Sequence, residues 1–409
     1  MHITFTHLRY RAIVSVHHYC GYVSQSKNLQ TLTFNSAKSK LHHLSDPDQI
    51  IDIFNSALER AGVVRARYLQ DLAIRQLAKA QCFTEIETLL ENQKKNPKIK
   101  SEKFLHGLFI SYGRAKMVDQ AIKLFYQMDE LGIPRSVDSF NALLTACKDA
   151  GDFKKVTELF AEIPVKFSLH PNKVSYSILI KSICEMGSPK LAYQKLEEMK
   201  ERQAEVTTII YTTLIDSLYK SNNSEEAEKV WDEMVKAGCS PDTAAYNSRV
   251  SYIAHHGLPE EALEVIAEMK ASGVKPSVIT YNLLLICYCK NGNFEGPKRA
   301  FEEMGKKGFP PNDFSFRVFL HFLCKKEDYD SALEVFKDCV TKKKAPDFEA
   351  LGLLVKGLMR NSKDEEAREI IKLVMDSYPE DWSANAKEFE AGLGKRQKEA
   401  LMTEWLSKQ

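Results

Sequence analysis

The chain repeats itself every 35 residues. Segments beginning at Thr208, Thr243, Val278 and Asp313 follow one another without a gap, and the same frame runs back to Lys173 and Glu102. The segment from Val137 carries one extra residue, and weaker copies start near Leu32, at Arg67 and at Phe348. A fixed period of this length constrains the fold more than any other feature. A single copy is too short to bury its own apolar face, so copies must stack on their neighbours.

Each copy reads as two helices. Apolar residues recur at helical spacing in the first half, as in Tyr281, Leu284, Leu285 and Tyr288. Gly151, Gly187, Gly257 and Gly292 stand where that half should stop, a position suited to a residue with positive φ. The second half opens on acids such as Glu225 and Glu226, which suit the positive end of a helix dipole. It then sets a small residue four positions before a large one, as in Ala227 and Trp231 or Ala332 and Phe336, so two helices can interlock. The expected fold is all-α: a right-handed α-solenoid of about ten helix-turn-helix repeats.

The frame divides the chain. Residues 1–31 form a leader and 32–101 degenerate N-terminal repeats. Regular repeats occupy 102–136, 137–172, 173–207, 208–242, 243–277, 278–312 and 313–347. A degenerate repeat covers 348–382, and 383–409 is expected to be a charged capping helix. Residues 1–45 hold no Asp or Glu but do hold Arg9, Arg11, Lys27, Lys38 and Lys40, the composition of an organellar transit peptide. The expected address is the mitochondrion, with the chloroplast as the alternative.

Composition excludes little. A net charge of +2 gives no global electrostatic case for nucleic acid, so any basic surface must be local. No run of about 18 apolar residues is present to span a membrane. Nine cysteines, an odd number spread through the chain, fit reduced thiols better than a disulfide framework. Cys287 and Cys289 look like a reactive pair but lie about 200° apart around one helix, so they cannot clip one metal.

Tyr-Asn at positions 4–5, Glu-Glu-Ala at 18–20, Glu-Met at 26–27 and Pro-Asp at 34–35 make the chain resemble the pentatricopeptide repeat family, specifically its plain P class as found in plant organelles. The resemblance is strong over 102–347. It implies binding of single-stranded RNA, one base per repeat, read by the fifth and last residues of each unit, with the second residue wedged against the base. The reading residues are then Asn141 with Asn172, Ser177 with Thr207, Thr212 with Asp242, Asn247 with Ser277, and Asn282 with Asn312. By the family's code the Asn-led pairs look like pyrimidine readers and Thr212 with Asp242 like a guanine reader. His106 with Ser136 and Arg317 with Asp347 match no standard pair. Val174, Ile209 and Ile279 fit the wedge; Asp138 and Ala244 do not.

A basic residue near position 13 recurs as Lys79, Arg114, Lys148, Lys220, His255, Lys290 and Lys325, with Glu185 the exception; the five lysines and Arg114 are the phosphate-contact candidates. Such a stripe suits a phosphate backbone. No catalytic constellation, metal-ligand spacing or cofactor motif is present, so a non-enzyme without metal, cofactor or small-molecule substrate is expected. The resemblance implies a role in RNA stability, processing or translation. The alternative is an accessory component of the small subunit of the mitochondrial ribosome, since short family members with weak codes include such proteins. Its partners would be ribosomal RNA and mitochondrial ribosomal proteins.

Overall fold

The computed structural model describes residues 32–58, 63–94, 102–292, 295–345 and 347–392. The leader, and the C-terminal segment beyond 392, lie outside the described residues. Every regular element among the described residues is an α-helix, numbered α1 (Phe34–His43) to α21 (Pro379–Gly392). None is long and apolar enough to cross a membrane.

The chain divides into two compact units, residues 1–182 and 183–409. In the first, α5 (Glu102–Arg114) packs on α6 (Val118–Tyr126) and on α7 (Val137–Asp149), and α7 packs on α8 (Phe153–Phe167). In the second, the first helices of successive repeats form a continuous series: α11 (Thr208–Lys220), α13 (Thr243–His256), α15 (Val278–Lys290), α17 (Asp313–Lys325) and α19 (Phe348–Arg360). Each touches the next, and each is backed by its own second helix, α12 (Ser224–Lys236), α14 (Pro259–Ala271), α16 (Glu295–Lys306), α18 (Tyr329–Thr341) or α20 (Asp364–Ser377).

In six consecutive repeats the fourth residue is a buried aromatic. Phe140, Tyr176, Tyr211, Tyr246, Tyr281 and Phe316 are all buried. The small residues of the second helices, Ala121, Ala192, Ala227, Ala262 and Ala332, have no exposed surface. Burying such an aromatic removes 150–250 Å² from water, roughly 4–6 kcal/mol each before conformational entropy is subtracted.

Most turns inside the pairs place one residue in left-handed geometry. Gly151, Gly187 and Gly292 supply it, with φ of 82°, 69° and 73°. Lys116, Asn222, Glu327 and Ser362 adopt the same conformation without glycine. Gly257 corrects the sequence expectation: its φ is −115°, so it is not a left-handed stop. Helix α13 instead runs one residue longer, to His256, and the missing Cβ leaves room for the Glu261 carboxylate.

Candidate nucleic-acid interface

The last residue of each repeat does a structural task first. It is the N-cap of the next repeat's first helix, where exposed backbone N–H groups need an acceptor. Ser136 caps α7, Asp242 caps α13, Ser277 caps α15, Asn312 caps α17 and Asp347 caps α19. Asn172 does the same for α9 (Lys173–Glu185): its Oδ1 accepts from the backbone N of Val174 and Ser175 at 3.0 and 3.1 Å.

The fifth residue reaches this cap from the preceding helix. Asn141 donates from Nδ2 to Asn172 Oδ1 at 3.2 Å, and its own Oδ1 accepts from Ser175 Oγ at 2.6 Å. Asn282 repeats the arrangement, donating to Asn312 Oδ1 at 3.3 Å and accepting from Ser315 Oγ at 2.6 Å. Asn247 accepts from Thr280 Oγ1 at 2.7 Å. Asn141 and Asn282 are buried, and their hydrogen bonds satisfy them there.

The other units differ. Thr212 Oγ1 donates to Asp242 Oδ1 at a long 3.4 Å. Ser177 turns its hydroxyl back onto Lys173 O at 2.7 Å, and Thr207 makes no side-chain cap bond. Arg317 and His321 approach Asp347 at 3.8 and 3.6 Å. His106 leaves its Nε2 buried without a hydrogen-bond partner, while Ser136 bonds Glu102 instead.

Beside these polar pairs stand large apolar side chains with nothing over them. Val174 is 47% exposed, Ile209 66% and Ile279 60%. Phe314, at the same second position, is 38% exposed, and the sequence reading missed it although it follows Ile279 by one period. The Arg317 guanidinium lies 4.9 Å from its ring centroid, offering a cation beside a stacking face.

The cation stripe separates into two kinds. Arg114 is paired with Asp71, Lys148 with Asp149 at 3.0 Å and Lys220 with Asp216 at 2.7 Å. The Asp216 hydrogen bond holds Lys220 above the usual lysine range. Lys79, Lys290 and Lys325 are exposed, with no ion pair among the described residues.

Three comparisons bear on these features. Models of the pentatricopeptide repeat match residues 107–133, 123–186, 174–203, 206–250, 241–290, 276–325 and 314–343. The chain belongs to the pentatricopeptide repeat family. A mitochondrial pentatricopeptide repeat-containing protein of Arabidopsis thaliana is 45% identical over 180 residues, covering 44% of this chain and 43% of that protein. The small ribosomal subunit protein mL103 of the same plant is 46% identical over 180 residues, covering 44% of each. The matches thus span less than half the length of these relatives. The maize pentatricopeptide repeat protein PPR10, solved with an 18-nt psaJ RNA element, superposes with a TM-score of 0.55 at 21% identity, over 84% of this chain and 57% of that one. That likeness gives the solenoid fold of the family.

Within the pentatricopeptide repeats, the remaining chemistry-bearing residues have packing roles. Burial pushes the Cys287 thiol up to about 11, with Glu260 and Glu261 adding to it, and pushes Cys289 up to about 12. Neither is a ready thiolate. His255 and His256 each bond a carbonyl of their own helix, Ser251 O and Tyr252 O, and His256 stacks on Tyr252 at 4.5 Å. No group of three His, Cys, Asp or Glu among the described residues could hold a metal ion.

Proposed function

We propose that this pentatricopeptide repeat protein binds single-stranded RNA along its first helices, in the mitochondrion, as a binder that carries out no reaction of its own. The observation that carries the reading is a pairing found in two repeats: an exposed apolar side chain beside a hydrogen-bonded polar pair. Ile209 stands beside Thr212 and Asp242, and Ile279 beside Asn282 and Asn312; Val174 is exposed at the same position, although Ser177 turns its hydroxyl onto its own helix. Water gives no reason to leave branched aliphatics uncovered at a 35-residue spacing. A splayed base satisfies both parts, its face on the aliphatic group and its pairing edge on the polar pair. The pairs named from the sequence remain the proposed readers, Lys79, Lys290 and Lys325 the proposed phosphate contacts, and the repeat boundaries given above the proposed modules.

Binding of short single-stranded and duplex RNA, followed across salt concentration, tests this. Single strands should be preferred. Each neutralised phosphate contributes about −0.7 to the log–log salt slope, so the three unpaired cations give about −2 and all six about −4. A salt-independent affinity, or equal binding to duplex, overturns the reading.

A second reading is favoured by one observation, the 46% identity to a small ribosomal subunit protein. In it the chain grips ribosomal RNA and neighbouring ribosomal proteins instead of a free transcript. Sedimentation of a mitochondrial extract separates the two. Strict co-migration with a ribosomal subunit supports the ribosomal role; a light, ribonuclease-sensitive particle supports the transcript factor.

A further inference from the structure

In the three repeats with Asn at position five, the next repeat begins with a hydroxyl at its third residue: Ser175, Thr280 and Ser315. Where position five is Ser177, Thr212 or Arg317, that third residue is Ile210, Ala245 or Ala350. His106, followed by Ser139, departs from the pattern, and there the hydroxyl bonds only within its own cap.

We propose that Ser175, Thr280 and Ser315 are positioning residues that fix which way the neighbouring Asn amide faces, and so set what Asn141, Asn247 and Asn282 offer to a base. The inference rests on the RNA-binding reading for its consequence, but not for its geometry.

The polarity starts at the backbone. Each hydroxyl accepts the N–H of the cap residue: Asn172 N to Ser175 Oγ at 3.1 Å, Ser277 N to Thr280 Oγ1 at 3.0 Å, and Asn312 N to Ser315 Oγ at 3.0 Å. A hydroxyl has one hydrogen. Its hydrogen has two partners in reach: the Asn across the junction, at 2.6, 2.7 and 2.6 Å, and the cap side chain, Asn172 Oδ1 at 3.3 Å, Ser277 Oγ at 3.2 Å and Asn312 Oδ1 at 2.9 Å; in every junction the Asn is the nearer. The Asn must therefore turn its oxygen toward the hydroxyl.

A second constraint agrees in two junctions. Asn172 Oδ1 and Asn312 Oδ1 are committed as acceptors by backbone N–H groups of the next helix. They can only receive Nδ2–H from Asn141 and Asn282, at 3.2 and 3.3 Å. A flipped amide would set two oxygens against each other and two donors against a committed hydroxyl. Asn172 Oδ1 and Asn312 Oδ1 are filled and Asn141 Oδ1 and Asn282 Oδ1 face the hydroxyl, so the hydrogens left over at these two junctions are amide N–H donors. Two adjacent donors match a base edge with two adjacent acceptors. Cytosine offers N3 and O2 side by side; adenine offers only N1 beside a donor amine.

The test uses the full chain, short oligo(C) and oligo(A), and the double variants S175A/S315A and S175T/S315T. Alanine already stands at this position in Ala245 and Ala350, both in well-formed helices, so the fold survives the change. The wild-type chain should prefer oligo(C). S175A/S315A should lose roughly fivefold of that preference, the worth of about one hydrogen bond, chiefly through weaker oligo(C) binding. S175T/S315T should restore it. Equal weakening on both oligomers, or an unchanged ratio, overturns the inference. A second measurement needs no RNA: hydrogen exchange at the Asn141 and Asn282 Nδ2, followed by NMR with nitrogen-15 asparagine. Exchange should be slow in the wild type and the threonine variant and faster in the alanine variant. Should the wild type bind neither oligomer, the RNA reading falls while the exchange result still decides the positioning role. Equal exchange in all three proteins overturns it.

Discussion

Two junctions of the second unit, built on the same backbone plan, solve the same problem differently. Between α15 and α17, Asn282, Asn312 and Ser315 form a closed set in which every oxygen is occupied. Between α11 and α13, Thr212 meets Asp242 through a single long contact, and Ala245 contributes nothing from its side chain. The closed junction spends its acceptors internally and leaves donors. The open one leaves a carboxylate oxygen of Asp242 free to accept. The stacked helices fix where a base would sit; the side chains at the seam fix which hydrogen-bond polarity it would meet.

The junctions differ below the seam as well, and substitutions can separate shared from private terms. Tyr211 and Tyr281 are both buried anchors, so Tyr211→Ala and Tyr281→Ala should each cost about 3–5 kcal/mol by leaving a cavity. Chemical denaturation should show similar losses, and a twofold disparity would mean the junctions are not equivalent in packing. Next come the caps. Asn312→Ala and Asp242→Ala should each cost about 1–2 kcal/mol, since each residue satisfies a backbone N–H at the start of a helix. If only Asn312→Ala is destabilising, the Asp242 cap is replaceable by water.

A smaller change distinguishes the two tyrosines. Tyr211 donates to Glu233, which also receives Lys200 and Tyr193. Burial works against the charged form of Glu233, but these hydrogen bonds outweigh it and hold the carboxyl below its ordinary value. A depressed carboxyl stabilises the fold above its unfolded value and loses that contribution as pH falls through the folded one. Tyr211→Phe should therefore cost about 1 kcal/mol at neutral pH, and the difference from wild type should shrink in acid, below about pH 4. Tyr281→Phe should change little at either pH. Denaturation midpoints at two pH values check both.

The smallest effects concern RNA. Lys290 is unpaired whereas Lys220 is held by Asp216, so Lys290→Glu should weaken RNA binding more and reduce the salt slope by about one phosphate's share. Lys220→Glu also forces apart a helical pair, and its effect should appear mainly in stability. Cys287→Ser should leave RNA affinity unchanged, because that thiol is buried beside Ile253 O.

Much of this was legible in the sequence because the period makes each residue's neighbours predictable. The aromatic at position four, the buried small residue of the second helix, and the exposed aliphatics Ile209 and Ile279 all follow from register. Phe314 was equally legible and was passed over because its unit carries the unusual Arg317. Other features were not legible. Arg114 finds Asp71 on a helix of a degenerate repeat, where register is weak. Gly257 sits at the glycine position yet keeps a negative φ, because the choice between turn geometries depends on what packs over the turn. The double duty of the last residue needs the start of one repeat and the end of another to be seen as a single site, and dividing the sequence into units hides it.

That double duty limits how such a protein can change its target. The residues closing the seven regular repeats are Ser136, Asn172, Thr207, Asp242, Ser277, Asn312 and Asp347. All belong to the four residue types that cap helices well. A new specificity written at this position is drawn at the lowest cost in stability from that small alphabet, since a letter outside it gives up a helix cap worth about 1 kcal/mol. Any wider vocabulary has to come from position five and from the hydroxyl beyond the seam, which can be exchanged without loosening the stack.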